Sequence, residues 1–426
     1  MFEPVVRADE LLERITSFYL ESSDFNGISI RALSGIISDT DNLRASLAAL
    51  IQNGEISLVF GDTHPNPHIL AIEPDTVSAQ IEKLTSKLFD QACAYPMRQI
   101  LETRVNKNDY VGRPFTLDLA LGAPQLSPRF FDLEILESYR NEPRYWYSAN
   151  SSEGTIYTKQ QNNSNSFLRE SDQVILSSFG FGHNKDITCR VVVCFPRYLG
   201  YLTPEHQQIW HAKQLIGEYQ VHPNYQLTTA GHFPINICIF EAFALELGHI
   251  NKLCALMGKP PLFRCDFNNH DRPSNLSFLL RPTTKEFFDF ILTLDKILSD
   301  NIQMDFFRFD ERLKADTSRK GRKTGKIQKG TLQLLNEWIS AHFEIKDPQP
   351  LEQMMSSLRY IRTLRQSPAH RLVDNIFDPG LFGKQRDIII STYSAIRTLR
   401  LIFQTHPDAI DYRVEPELDK SLIWTF

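Results

Sequence analysis

The residues of this chain best suited to chemistry are Arg365 and His370, in the run Arg365-Gln366-Ser367-Pro368-Ala369-His370. A guanidinium can grip two phosphate oxygens through parallel hydrogen bonds. An imidazole gives or takes a proton near neutral pH. Together they suit one phosphodiester. Gln366 follows the arginine; its amide can position a group but cannot transfer a proton. The plainer reading is a surface arginine and a structural histidine at a helix break made by Pro368. An Arg-x4-His spacing also arises easily by chance. What gives this one weight is its place, late in a helical region.

A second feature precedes it. Residues 312–329 hold Arg312, Lys314, Arg319, Lys320, Arg322, Lys323, Lys326 and Lys329 against the single acid Asp316. Such a run is ordinarily a solvated linker. It is also what a nucleic-acid backbone requires, and Arg319, Lys320, Arg322, Lys323 and Lys326 are the candidate contacts.

Other constellations carry less. Gly321-Arg322-Lys323-Thr324-Gly325-Lys326-Ile327 misses the phosphate-binding loop pattern in both its glycine spacing and the residue after its lysine. Glu246-Leu247-Gly248-His249 has the spacing of helical di-iron sites, but no second copy exists. His206, His211, His222 and His232 lack ligand spacing. Glu344-Ile345-Lys346 falls between expected helices and not on a strand. No metal and no cofactor is expected.

The elements that must position these residues change character along the chain. Residues 8–20 set Leu11, Leu12, Ile15, Phe18 and Tyr19 on one helical face. A short amphipathic stretch follows at 28–37, then a helix capped by Asp39 or Thr40 and running to Gln52. Strands are expected at 55–60 and 69–73, around a turn-rich link. This order resembles a winged helix. Its third helix offers Asp39, Asp41, Asn42, Arg44 and Gln52, a poor surface for DNA, so a protein contact or a purely architectural role is expected there, with a protein partner or trigger at the N-terminal and middle parts. Residues 76–106 read as a connecting helix. Short strand-like runs then appear at 115–121, 130–136, 144–148, 155–159, 173–180 and 187–195, with a polar loop at 150–165. An aromatic-rich texture (Tyr145, Trp146, Tyr147, Tyr157, Phe179, Phe181, Tyr198, Tyr201, Trp210) reads mainly as core, and its exposed members could stack on a base or ligand. A long apolar helix is expected at 234–257. Four amphipathic helices follow, at 283–307, 331–343, 350–367 and 383–404, and suggest a bundle.

The expected fold is therefore α+β and multidomain: a winged-helix-like part at 1–75, a β-rich middle part with connecting helices at 76–280, and an all-α helical bundle at 281–426. The length of 426 residues suits two to four domains, and 42% hydrophobic with 23% charged residues is an ordinary globular composition. The formal net charge of −5 gives no global argument for a nucleic-acid partner. No apolar stretch is long enough to span a bilayer, and the first residues lack the pattern of a secretory signal. Six cysteines without a Cys-x-x-Cys pair, most in apolar company, suggest free thiols in a reducing cytoplasm.

The stretch Leu358–Leu372 around Arg365 and His370 resembles the R-x4-6-H signature of HEPN domains, an all-helical family rich in metal-independent ribonucleases of bacterial immunity and toxin systems. The resemblance covers the last third of the chain. It implies an endoribonuclease in which His370 moves the proton, Arg365 steadies the scissile phosphate and Gln366 positions. It also implies RNA as partner and a homodimer that completes the site. Two other readings stay open: a non-catalytic HEPN module for dimerisation or assembly, and a winged-helix DNA-binding regulator.

Overall fold

The computed structural model describes residues 8–35, 37, 39–62, 64–159, 168–267, 272–273, 275–308, 310, 313, 329–366 and 374–426. It is mixed α+β, with several sheets and a helical C-terminal region. Its internal packing divides it into two units. One comprises Met1–Ala149, Glu153–His183 and Val191–Val221; the other comprises Asn150–Ser152, Asn184–Arg190 and His222–Phe426.

The first unit opens with α1 (Ala8–Glu21), which buries Leu11, Ile15 and Tyr19 at helical spacing. After β1 (Ile28–Ser29) and α2 (Ile30–Ser34) comes α3 (Thr40–Gln52), which starts where the Asp39 side chain accepts from the Asp41 and Asn42 amides. Leu43, Leu47, Leu50 and Ile51 face inward from it. β2 (Ile56–Val59), α4 (Val77–Lys83), β3 (Cys93–Pro96) and α5 (Arg98–Arg104) follow.

Two expectations change here. Residues 69–73 form no strand; the carbonyls of Leu70 and Ala71 accept from the amides of Gln125 and Leu126. The partner of β2 is instead β3, which lies inside the expected connecting helix 76–106 and runs antiparallel to both β1 and β2. All four β3 residues are buried. A strand hidden on both faces shows no alternation, and its short apolar run is indistinguishable by pattern from buried helix.

Next come α6 (Pro114–Ala120), β4 (Arg129–Phe131), α7 (Glu137–Arg140), β5 (Tyr145–Ala149), β6 (Glu153–Thr158), β7 (Ile175–Asn184), β8 (Arg190–Cys194), α8 (Pro196–Leu199), α9 (Pro204–Ala212) and β9 (Tyr219–Val221). The strands form one sheet in the order β4-β8-β7-β6-β5, with β9 on β7. The run 115–121, expected as a strand, is helical. Pro114 at the first helical position presets the backbone, and Phe115 and Leu119 stand one turn apart on the buried side. The run 130–136 is strand only to Phe131. The Asp132 side chain then accepts from the Glu134 amide and starts a 3-10 turn. Within the expected polar loop 150–165, β6 occupies 153–158. Aromatics fill this core: Trp210 donates to the Tyr139 hydroxyl at 3.1 Å, and that hydroxyl meets His206 Nδ1 at 2.9 Å. Trp146 and Tyr201 are exposed.

The second unit holds α10 (Pro223–Thr229), β10 (Ile237–Cys238), α11 (Ile239–Leu256), α12 (Thr284–Asp295), α13 (Thr331–His342), α14 (Gln349–Gln366), α15 (Gly380–Gln404), α16 (Pro416–Asp419) and β11 (Ile423–Trp424). β11 pairs parallel with β10, so the chain end is stitched to the start of α11. α15 packs along α11 and α14, and α12 packs on α14. The long apolar helix α11 thus shares the core of the C-terminal helices, to which it contributes Phe240, Phe243, Leu247 and Ile250. α12 stops earlier than the expected 307. It passes into a π-helical turn at Lys296–Asp300, after which the Asn301 side chain bonds both the amide and the carbonyl of Cys265 and draws the chain out of the helix.

Among the described residues no helix is long and apolar enough to cross a membrane. All six cysteines are free; Cys93, Cys194, Cys238 and Cys254 are buried, whereas Cys189 and Cys265 are exposed.

Candidate functional site

Arg365 stands in the last turn of α14, and Gln366 ends that helix with its side chain exposed. His370 lies outside the described residues, as do Arg319, Lys320, Arg322, Lys323 and Lys326. Of the basic run, Lys329 is described, and its ammonium is 2.6 Å from Glu337.

The arginine does not hang free. Its Nη1 donates to Oδ2 of Asp295 at 2.5 Å, and Asp300 Oδ2 stands 3.8 Å away. Asp295 is the last residue of α12, and its carboxylate is almost wholly buried. Its other oxygen accepts from the Ser299 hydroxyl at 2.9 Å, across the π-helical turn. The Ser299 carbonyl in turn accepts from Thr331 Oγ1 at 3.1 Å, at the start of α13. A buried carboxylate must be paired and hydrogen-bonded to stay charged. Arg365 supplies the charge and Ser299 the second hydrogen bond. The hydrogen bond from Arg365 to Asp295 also holds the guanidinium firmly in its charged form.

Chemically, this anchoring holds one guanidinium nitrogen in place while 39% of the side chain stays exposed. Among the described residues, Nε and Nη2 have no hydrogen-bond partner. Those donors can meet a phosphate. The two aspartates work against an incoming anion, so Arg365 acts here more as a directed donor than as a bare positive charge. Arg365→Ala is expected to lower stability by about 1–2 kcal/mol. That is below the roughly 3–5 kcal/mol of a wholly buried pair, because water reaches the abandoned carboxylate. Adding Asp295→Asn should restore most of the loss. Urea unfolding of the two single variants and the double variant reads this out, and an unchanged midpoint in Arg365→Ala would mean that the pair contributes nothing.

Three further charged clusters in this unit were not singled out as sites by sequence reasoning. Glu246 on α11 and Arg400 on α15 form a fully buried two-pronged pair, with Nε–Oε2 at 2.5 Å and Nη2–Oε1 at 3.2 Å. His249, one turn further along α11, contacts the Tyr412 hydroxyl through Nδ1 at 2.7 Å, and its Nε2 stands 2.6 Å from Glu415. Burial carries the His249 pKa below the ordinary imidazole value, against the pull of Glu415. The Glu246-x-x-His249 spacing therefore serves two separate side-chain contacts. Asp310, buried, accepts from Lys259 at 3.1 Å and Trp338 at 2.8 Å, and His342 Nε2 is 3.0 Å away. Burial opposes its charge, but the bonds from Lys259 and Trp338 and the field of His342 bring its pKa below the ordinary carboxylate value.

A signal for these pairs exists in the sequence. Asp295 follows Phe287, Ile291 and Leu294 on the inward stripe of α12. Arg400 lies among Ile396, Leu399 and Phe403 on α15. A charge on an apolar stripe announces a buried partner, though not which one. Among the described residues no group of three or more His, Cys, Asp or Glu side chains is placed to hold a metal ion. No protein-family model matches the chain, and neither does any curated protein or solved structure compared with it.

Proposed function

We propose that the chain is a metal-independent endoribonuclease of a bacterial immunity or toxin type, whose C-terminal helices form a HEPN-like bundle. In this reading Arg365 steadies the scissile phosphate, His370 transfers the proton and Gln366 positions the substrate. The observation that carries it is Arg365 itself. It sits at the end of a packed helix, oriented through Nη1 by Asp295, with its outer edge exposed five residues before a histidine. Preorganised donors of this kind are what transition-state charge requires.

The N-terminal part is a winged-helix-like module that binds a protein partner or trigger. The order α1-β1-α2-α3-β2-α4-β3, with β3 central in the sheet, supports this reading, although α4 interrupts the wing between β2 and β3. So does α3, whose one basic residue, Arg44, lies over the Phe89 ring and stands 3.7 Å from Asp41. That leaves little positive charge on α3 to meet DNA. The nuclease acts as a homodimer that brings two copies of the motif together. It works in the cytoplasm, in keeping with the six free thiols.

The test is cleavage of single-stranded RNA by the purified full chain in EDTA. Cleavage is expected, and activity that disappears with the chelator would reject the metal-free mechanism. Neutralising Arg319, Lys320, Arg322 and Lys323 together should weaken RNA binding and flatten its dependence on salt, because fewer counterions are released. An unchanged slope would make that run a linker.

A second reading has one observation in its favour. The Asp295 and Asp300 carboxylates beside Arg365 give the motif a structural use, so the bundle could serve dimerisation or assembly without cutting. Arg365→Lys separates the two. Lysine keeps the charge beside Asp295 but loses the planar fork. Retained stability with lost cleavage favours the nuclease; retained stability in a protein that never cuts favours the assembly module.

A further inference from the structure

We propose that the cavity of about 340 Å³ between the C-terminal turns of α15 and residues 412–419 binds a small phosphorylated ligand of mononucleotide size. Its wall carries three arginines, Arg397, Arg400 and Arg413, against one acid, Asp419. Glu246, behind the wall, neutralises Arg400, whose Nη1 is also held by Gln404 at 2.6 Å. Arg400 is therefore a fixed part of the frame. The other two arginines keep donors to spare. Arg397 uses Nη1 on the Ser421 hydroxyl at 2.9 Å, and its Nε is buried with no hydrogen-bond partner among the described residues. Arg413 donates through Nη1 to the carbonyls of Ile410 and Tyr412, and its side chain is otherwise exposed.

A buried cationic N–H without an acceptor is costly, and native sites seldom leave one. Arg397 Nε is itself enclosed by the protein, so a ligand in the cavity meets the remaining nitrogen, Nη2, and not this one. Arg397 and Arg413 line the cavity with guanidinium nitrogens that no residue among those described occupies, and charged N–H donors of this kind favour phosphate oxygens. Asp419 forms no ion pair with either arginine among the described residues, and as the one acid in the wall it leaves Arg397 and Arg413 in excess.

Apart from Gln404, whose amide bonds Arg400 and the Tyr412 carbonyl, the rest of the wall is apolar. Leu401, Val414 and the Tyr412 ring line it. The Tyr412 hydroxyl is pinned by His249 at 2.7 Å, which sets the ring's position. A charged end beside a flat apolar side suits a phosphate attached to a ring system. The volume falls within the roughly 300–1,000 Å³ usual for small-ligand sites. This site uses neither Arg365 nor His370, so it stands or falls apart from the proposed nuclease.

The experiment is calorimetric titration of the full-length protein at constant ionic strength. The probes are inorganic phosphate and adenosine monophosphate, with a short RNA oligonucleotide as a third arm. Saturable binding of phosphate is expected, with adenosine monophosphate tighter and competing for the same site. Arg413→Gln should weaken both about tenfold or more, the loss of about 1.4 kcal/mol or more of binding. That variant removes only bonds to backbone carbonyls of its own loop, so the fold should survive it, and circular dichroism checks this. Arg397→Gln should act the same way. No saturable binding of either small probe, binding unchanged in both variants, or binding of the RNA alone would overturn the proposal.

Discussion

His370→Ala is expected to leave the protein folded and to lower RNA cleavage by roughly a hundredfold to ten-thousandfold, the usual contribution of a general acid or base. The effect should be on turnover more than on binding, because the arginine and the basic run would still hold the phosphate backbone. A fluorescent single-stranded RNA, followed in EDTA with binding measured separately, distinguishes the two. Cleavage undiminished in this variant would remove the histidine from the mechanism and with it the family resemblance as a guide to activity. Cleavage lost together with the thermal transition would mean that His370 is structural; His370→Gln, which keeps volume and a hydrogen-bonding end, then decides whether the proton or the packing matters.

The second large effect concerns stability. Arg400→Ala is expected to cost about 3–5 kcal/mol, because Glu246 would be left charged, buried and unpaired. Both side chains are essentially inaccessible, at 3% and 0% exposure, so no solvent discount applies as it does at Arg365. The double variant Glu246→Gln/Arg400→Met should recover most of this loss, since an uncharged amide and a flexible apolar chain remove the unpaired charge. Urea denaturation of the parent, Glu246→Gln, Arg400→Met and their double variant gives the coupling between the two residues. A single Arg400→Ala variant as stable as its parent would show that α11 and α15 are held by apolar packing alone.

What the sequence by itself determined is the helical C-terminal region. The period of the apolar residues sets helices at 331–342, 349–366 and 380–404 within three residues of the expected ends. Long helices repeat one rule over several turns, so local composition suffices. The place of Arg365 near the end of α14 was legible for the same reason. β5, with Trp146 and Ser148 exposed, was also legible from its texture, whereas β6 was partly hidden in an expected polar loop.

Tertiary structure alone decided three things. It chose β3 over residues 69–73 as the partner of β2, because the winner is buried on both faces and carries no alternating pattern. It made 114–120 a helix, because that form buries Phe115, Leu119 and Ala120 together on one side. And it gave each buried charge its mate: Asp295 with Arg365, 70 residues on, and Glu246 with Arg400, 154 residues on. A sequence can show that a charge lies on an apolar face and so needs a partner. Which partner it gets depends on which helices pack together, and that follows from the shape of the whole core rather than from any local run of residues.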